Sequence, residues 1–246
     1  MLDVSRNQLN GTIPISIGHL SNLEVLSISN NFFKGYVSSV LFFNLTNLET
    51  LKASSNLLTL QVSSNWVPPF QLQTLGMGSW TLEPQFPAWL QSQKDLKFLR
   101  LSNASISDFI PFWFWSLCSQ LSFLDLSQNQ IHGSIPSLSS RGSIFLGSNN
   151  FYGPLPHIIS SSIMYLDLSN NSFHRSLSSL VCEQKDRSMK GDLVILDLSE
   201  NLLSGELPEC WKNYSQLLIL NLGSNKLTGN ISSSMFSICS YCFVLG

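Results

Sequence analysis

The stretch LVILDLSENLLSGELP, residues 193–208, decides how this chain folds. Its apolar residues Leu193, Leu196, Leu198, Leu203 and Leu207 keep neither a helical period nor the strict alternation of a half-buried strand. Asn201 stands three residues after Leu198, Gly205 follows four residues later, and Leu207-Pro208 closes the unit. With Asn201 as a ruler, the same position recurs at Asn7, Asn31, Asn56, Trp80, Ala104, Asn129, Asn149, Asn171 and Asn225, at intervals of 20 to 30 residues. Ten such units leave almost none of the 246 residues unassigned.

A unit L-x-x-L-x-L-x-x-N-x-L at this period is a leucine-rich repeat. No single unit can bury its leucines alone, so stability must come from stacking each coil on its neighbours. The expected fold is an α/β solenoid of about ten repeats, a right-handed superhelix. A parallel β-sheet lines its concave face, and irregular or 3-10 segments line its convex face. The repeat domain is expected over residues 1–232, with a divergent tail over 233–246, where SSSMFSICSYCFVLG loses the leucine spacing.

Within each unit the asparagine is expected to face inward, its amide bonded to backbone groups leaving the strand, because an unpaired buried polar group costs about 1–3 kcal/mol. Trp80 and Ala104 interrupt that asparagine ladder, which predicts a local irregularity in two successive coils. Gly11, Gly35, Gly133, Gly153, Gly205 and Gly229 all stand four residues past the ruler, which predicts a tight turn with positive φ.

Composition removes several function classes. Charged residues make up only 11% of the chain and the net charge is −2, so no basic stripe exists to neutralise a nucleic acid. The four histidines are scattered, and no metal-ligand spacing, phosphate loop or nucleophile–base set occurs. Asp125, Asp167 and Asp197 share a column, but they belong to a recurring Leu-Asp-Leu-Ser unit rather than to a carboxylate pair built for catalysis. No enzymatic activity, cofactor or metal is expected. No run approaches the ~20 apolar residues of a membrane span.

The extended unit L-x-x-L-x-L-x-x-N-x-L-x-G-x-[IL]-P, seen best in residues 193–208 and 121–136, resembles the plant-specific leucine-rich repeat. The segments NWVPPFQLQTLGMGSWTLEPQFPAWLQSQKDLKFL (residues 65–99), IPFWFW (110–115) and LPECW (207–211) resemble plant leucine-rich-repeat receptor-like proteins, which share their ectodomain type with plant receptor kinases. The resemblance implies a ligand-binding ectodomain on the extracellular side of the plasma membrane. Its partners would be a peptide or protein ligand, or an elicitor, and a co-receptor kinase of the leucine-rich-repeat type. A role in defence or developmental signalling follows. Met1 opens inside a repeat, without the family's leader, cysteine cap or span, so a segment of a longer protein is expected. A secreted inhibitor of microbial wall-degrading enzymes and a non-functional truncation product are the alternatives.

The ruler also picks out candidate sites. Phe98, Phe123, Phe145 and Tyr165 fall on outward positions of four consecutive strands, with Arg100, Asp125 and Asp167 around them. An exposed aromatic patch with a polar rim reads as a protein-binding surface, unless the rings only stack on one another. Six sequons, at Asn10, Asn44, Asn103, Asn170, Asn213 and Asn230, are candidate glycosylation sites in the secretory pathway. Cys182 and Cys210 lie at similar offsets in neighbouring coils and either pair in an oxidising compartment or remain free thiols. Cys239 and Cys242 form a lone CxxC in the divergent tail, without the context a redox or zinc site requires.

Overall fold

Five residues before each ruler position the chain places a short strand with a branched apolar residue at its centre. The computed structural model describes residues 1–159, 162–182, 192–231 and 233–235. It divides into two compact units, 1–130 and 131–246. In the first unit the strands Leu2–Asp3, Val25–Ser27, Thr50–Lys52, Thr74–Gly76, Phe98–Arg100 and Phe123–Asp125 run parallel. Their register sets Leu2 beside Leu26, then Leu51, Leu75, Leu99 and Leu124. In the second unit Ser143–Phe145, Tyr165–Asp167, Ile195–Asp197 and Ile219–Asn221 align Ile144, Leu166, Leu196 and Leu220 in the same way.

Each unit is thus a leucine-rich-repeat solenoid, with a sheet of first strands and outer segments of short 3-10 and α-turns. From Leu26 onward these central residues are buried, and each contributes roughly 1.5–3 kcal/mol by leaving water. Parallel strands lack a hairpin connection, so each coil must travel around an outer segment before it returns to the sheet.

The asparagines face inward as expected. Asn31, Asn56, Asn129, Asn149 and Asn201 are buried. Asn201 shows the wiring. Its Nδ2 donates to the carbonyls of Leu198, at 3.2 Å, and of Leu168 in the preceding coil, at 3.0 Å. Its Oδ1 accepts from the Phe173 N–H at 3.0 Å. One side chain therefore satisfies groups from two coils at the point where both leave the sheet.

Trp80 and Ala104 leave the first sheet intact: Leu75, Leu99 and Leu124 remain in register. The irregularity falls instead on a second parallel ribbon that follows the ruler. In the first unit this ribbon contains Asn10–Gly11, Phe32–Ser38 and Leu57–Gln61, and then dwindles to a single bridge from Thr59 to Thr81. Beyond it Pro84 and Asp108 occupy the slot four residues past the ruler. A proline holds φ near about −65°, so Pro84 is incompatible with the turn that a glycine makes there. The second unit has its own ribbon, from His132–Gly133 through Asn150–Gly153, Ser172–Arg175 and Leu202–Glu206 to Lys226–Thr228. The six slot glycines have φ between 82° and 105°. Arg175 holds the same slot at φ 75°.

The tryptophan-rich segments form an outer layer of core. Trp66 packs edge-on to Trp89 with ring centroids 5.5 Å apart, beside Phe42 and Phe70. Phe86 meets Phe114, on the helix Phe112–Cys118, at 4.9 Å. Cys182 and Cys210 are joined in a disulfide, their Cα atoms 5.3 Å apart. Cys118 is a buried free thiol, and burial pushes its pKa up to about 12. Cys239 and Cys242 lie outside the described residues.

Candidate ligand-binding surface

Leucine side chains on the first sheet point into the coil, so the residues flanking them point to solvent on the other face. In the first unit this brings four of the candidate residues together. Phe98 and Phe123 stand side by side in register and stack, with ring centroids 4.3 Å apart and planes 5° from parallel. Arg100 and Asp125 are the next register pair, and Arg100 Nε bonds Asp125 Oδ2 at 3.0 Å. The guanidinium carbon lies 5.2 Å from the Phe123 centroid and 6.0 Å from that of Phe98, close enough for cation–π attraction. The Arg100 side chain remains 42% exposed, while that of Asp125 is 11% exposed.

The second unit arranges its candidates differently. Phe145 is in register with Asp167, whereas Tyr165 is in register with Ser143. The two rings therefore stand in different columns, diagonal to each other, and both are half-buried. Asp167 accepts from both Ser169 N, at 2.9 Å, and Ser169 Oγ, at 2.6 Å. The same capping holds Asp125 to Ser127 and Asp197 to Ser199. The Leu-Asp-Leu-Ser recurrence thus encodes a turn in which one carboxylate oxygen organises the backbone leaving the strand. Asp197 Oδ2 accepts from Asn221 Nδ2 at 3.0 Å. Gly147 makes room for this turn, since a Cβ there would lie 2.8 Å from both Asp167 carboxylate oxygens.

Two features carry no signature in the spacing of the sequence. The residue before each ruler position, from Arg6 and Asn30 through to Glu200 and Ser224, is in the left-handed region, with φ between 49° and 68°. No glycine marks these ten places: three hold asparagine, which adopts that conformation most readily, four hold serine, and the others hold Arg6, Gln128 and Glu200, so the repeated backbone path imposes it whatever the side chain. The ion pair Arg100–Asp125 joins two coils and is visible only once register is known. Of the sequon asparagines, Asn10, Asn44, Asn103, Asn170 and Asn230 are exposed, while the side chain of Asn213 lies outside the described set. Among the described residues no group of histidine, cysteine or carboxylate side chains is placed to hold a metal ion.

The Leucine Rich Repeat family profile matches residues 1–20, 95–117, 120–141 and 192–214. Receptor-like protein EIX2 of Solanum lycopersicum is 42% identical over 192 residues, which cover 76% of this chain and 18% of that protein. The chain belongs to the plant leucine-rich-repeat receptor-like proteins. It spans about a fifth of the length of the curated receptor-like proteins it matches. Solved structures of this repeat type superpose along its whole length. The plant peptide hormone receptor RGFR1, in complex with RGF2, is 28% identical with a TM-score of 0.81, over 100% of this chain and 43% of that one. The Arabidopsis receptor kinase HAESA, in complex with the peptide hormone IDA and the co-receptor SERK1, is 29% identical with a TM-score of 0.73, over 99% and 45%. Among the described residues of this receptor-like chain, no helix is long and apolar enough to cross a membrane.

Proposed function

We propose that this chain is a ligand-binding segment of the extracellular repeat domain of a plant cell-surface receptor, recognising a peptide, protein or elicitor in defence or developmental signalling. The observation that carries the reading is the half-exposed Phe98–Phe123 stack with the Arg100 guanidinium over it. Flat rings and arginine offer large contact area with few rotamers to freeze, which is why binding surfaces are enriched in them. Phe145, Tyr165 and Asp167 are proposed as the corresponding contacts of the second unit. The likeness to RGFR1 and HAESA, each held with a peptide hormone, favours a peptide over a small molecule. The SERK1 partner of HAESA suggests a co-receptor kinase of the same repeat type as the second partner here. Residues 1–232 form the recognition domain in this reading, on the extracellular side of the plasma membrane.

The test is binding of the secreted chain to peptide fractions from the leaf extracellular fluid, followed by mass spectrometry of what is retained. The double variant Phe123→Ala, Arg100→Ala is expected to lose retention about tenfold or more, as central aromatic and arginine contacts do. Retention unchanged in that variant would remove the cluster from the binding surface. No retained peptide from any fraction would count against a peptide receptor.

A further inference from the structure

An apolar patch on the solvent side of a protein marks something that covers it. In the first unit such a patch lies on the outer segments of three successive coils. Ile15, Val40, Phe43 and Val67 are 60, 59, 75 and 67% exposed. They line a groove of about 510 Å³ together with the edge of Trp66. Phe43 is carried on a hydrogen-bonded turn after the short helix Ser39–Phe42, its N–H bonded to the Val40 carbonyl at 3.3 Å, so the ring is presented to solvent by ordered backbone. The lining contains no aspartate, glutamate, lysine or arginine. A basic peptide would find no counter-charge there and an acidic one only His19, whereas a neutral amphipathic ligand fits.

The groove carries the attachment point for one. Asn44 lies in its lining and opens the sequon Asn44-Leu45-Thr46. Leu45 is fully buried and pins the backbone, while Asn44 and Thr46 are both exposed. We propose that Asn44 bears an N-linked glycan whose first sugar residues lie along this groove and cover Phe43. A pyranose has a face of C–H groups that packs on apolar and aromatic side chains, and equatorial hydroxyls that stay in water. Covalent attachment keeps the sugar at high effective concentration over a surface that would hold a free sugar only weakly. In the transfer, Asn44 Nδ2 forms a bond to C1 of an N-acetylglucosamine on a lipid-diphosphate oligosaccharide. The C1–O bond to the diphosphate breaks, the lipid diphosphate leaves with the electron pair, and the amide gives up one proton. The inference rests on the secretory placement proposed above.

The test uses the chain secreted from plant cells behind a cleavable leader. Glycopeptide mass spectrometry reads occupancy of each sequon, and hydroxyl-radical oxidation reads the exposure of each ring. Asn44 is expected to be occupied, and Phe43 to oxidise several-fold more slowly in the wild type than in Asn44→Gln or Thr46→Ala. Phe112, 82% exposed and on another coil, is expected to oxidise equally in all three. Removing the glycan from the folded wild type with a peptide N-glycosidase gives the same comparison without a substitution, should either variant misfold. An occupied Asn44 with Phe43 oxidised equally in all forms would mean that the glycan points into solvent, and would overturn the inference. A bare Asn44 with other sequons occupied would overturn it and leave the secretory placement standing. Every sequon bare would overturn it and show that passage through the secretory pathway leaves this chain without N-linked sugar.

Discussion

Trp80 donates its indole N–H to the carbonyl of Ala53 at 2.8 Å. One coil earlier the equivalent carbonyl, that of Ile28, receives Asn56 Nδ2 at 3.0 Å. Tryptophan thus takes over the donor half of the ladder. The next coil uses a different substitute: Ala104 has no polar side chain, and its backbone carbonyl accepts from Leu82 N at 3.1 Å. Asn129 then serves the preceding coil twice, its Oδ1 accepting from Ala104 N at 2.9 Å and Ile106 N at 3.1 Å. Continuity therefore depends on every strand-exit group finding a partner, and asparagine is the commonest way to supply one.

Trp80→Phe removes the indole donor and part of the ring, whereas Trp80→Ala removes the whole ring. The carbonyl of Ala53 keeps Asn56 Nδ2 at 3.0 Å, so the lost donor and the smaller ring together are expected to cost about 1–2 kcal/mol. Trp80→Ala, at a side chain 2% exposed, is expected to cost about 3–5 kcal/mol through the cavity it leaves. Chemical denaturation of the two variants reads the difference, and equal losses would contradict it.

Arg175 occupies the slot where six other coils use a glycine, at φ 75°. A side chain in the left-handed region costs about 1–2 kcal/mol, and a glycine loses about 0.5–1 kcal/mol more backbone entropy on folding, so Arg175→Gly is expected to stabilise by about 0.5–1 kcal/mol. Gly205→Ala is the converse. Its Cβ would come no closer than 3.9 Å to Ser176 Cβ, so the backbone conformation alone is tested, with a similar expected loss. A fall in midpoint for Arg175→Gly would show that its side chain compensates for the strain.

Cys118 provides a pH test. Burial raises its thiol pKa from about 9 to about 12 in the folded protein, because the thiolate would lose its hydration. The neutral thiol's stabilisation is complete below the unfolded pKa and is lost as pH climbs through the folded value. Relative to wild type, the Cys118→Ala variant is expected to gain stability as pH rises from 9 to 12. In the native state Cys118 is expected to resist thiolate-directed alkylation below pH 9, and to react once unfolded. Peptide mapping of the alkylated chain reads both states, and rapid native labelling would refute the burial.

Phe123→Ala and Leu198→Ala distinguish surface from framework. Leu198 is fully buried, so its loss is expected to cost about 2–5 kcal/mol and to speed proteolysis. Phe123 stacks on Phe98 from a half-exposed position, so its loss is expected to cost about 0.5–1.5 kcal/mol, the scale of an aromatic pair. Thermal midpoints that fall equally for both would make the ring stack part of the framework.

What local spacing could reveal, it revealed. The interval from Leu196 to Asn201 to Gly205 placed every first strand, the inward asparagines and the positive-φ glycines, because these depend on one repeating backbone path. The rings were legible as outward positions, since side chains alternate along a strand. Their contacts were not: whether Phe123 meets Phe98 or Phe145 meets Asp167 depends on how coils of unequal length come into register.

The sequence by itself thus determined the repeat, its strand and turn positions, and the kind of residue each position requires, because a solenoid's stability is a sum over neighbouring coils that share one pattern. Only the tertiary structure decided how the exceptions are accommodated: Trp80 as a donor to Ala53, Arg175 in a glycine's conformation, Arg100 bridging to Asp125 over the Phe123 ring. Those contacts join residues about one coil apart in sequence, and no local rule specifies them, since their energy depends on distances set only when the coils stack.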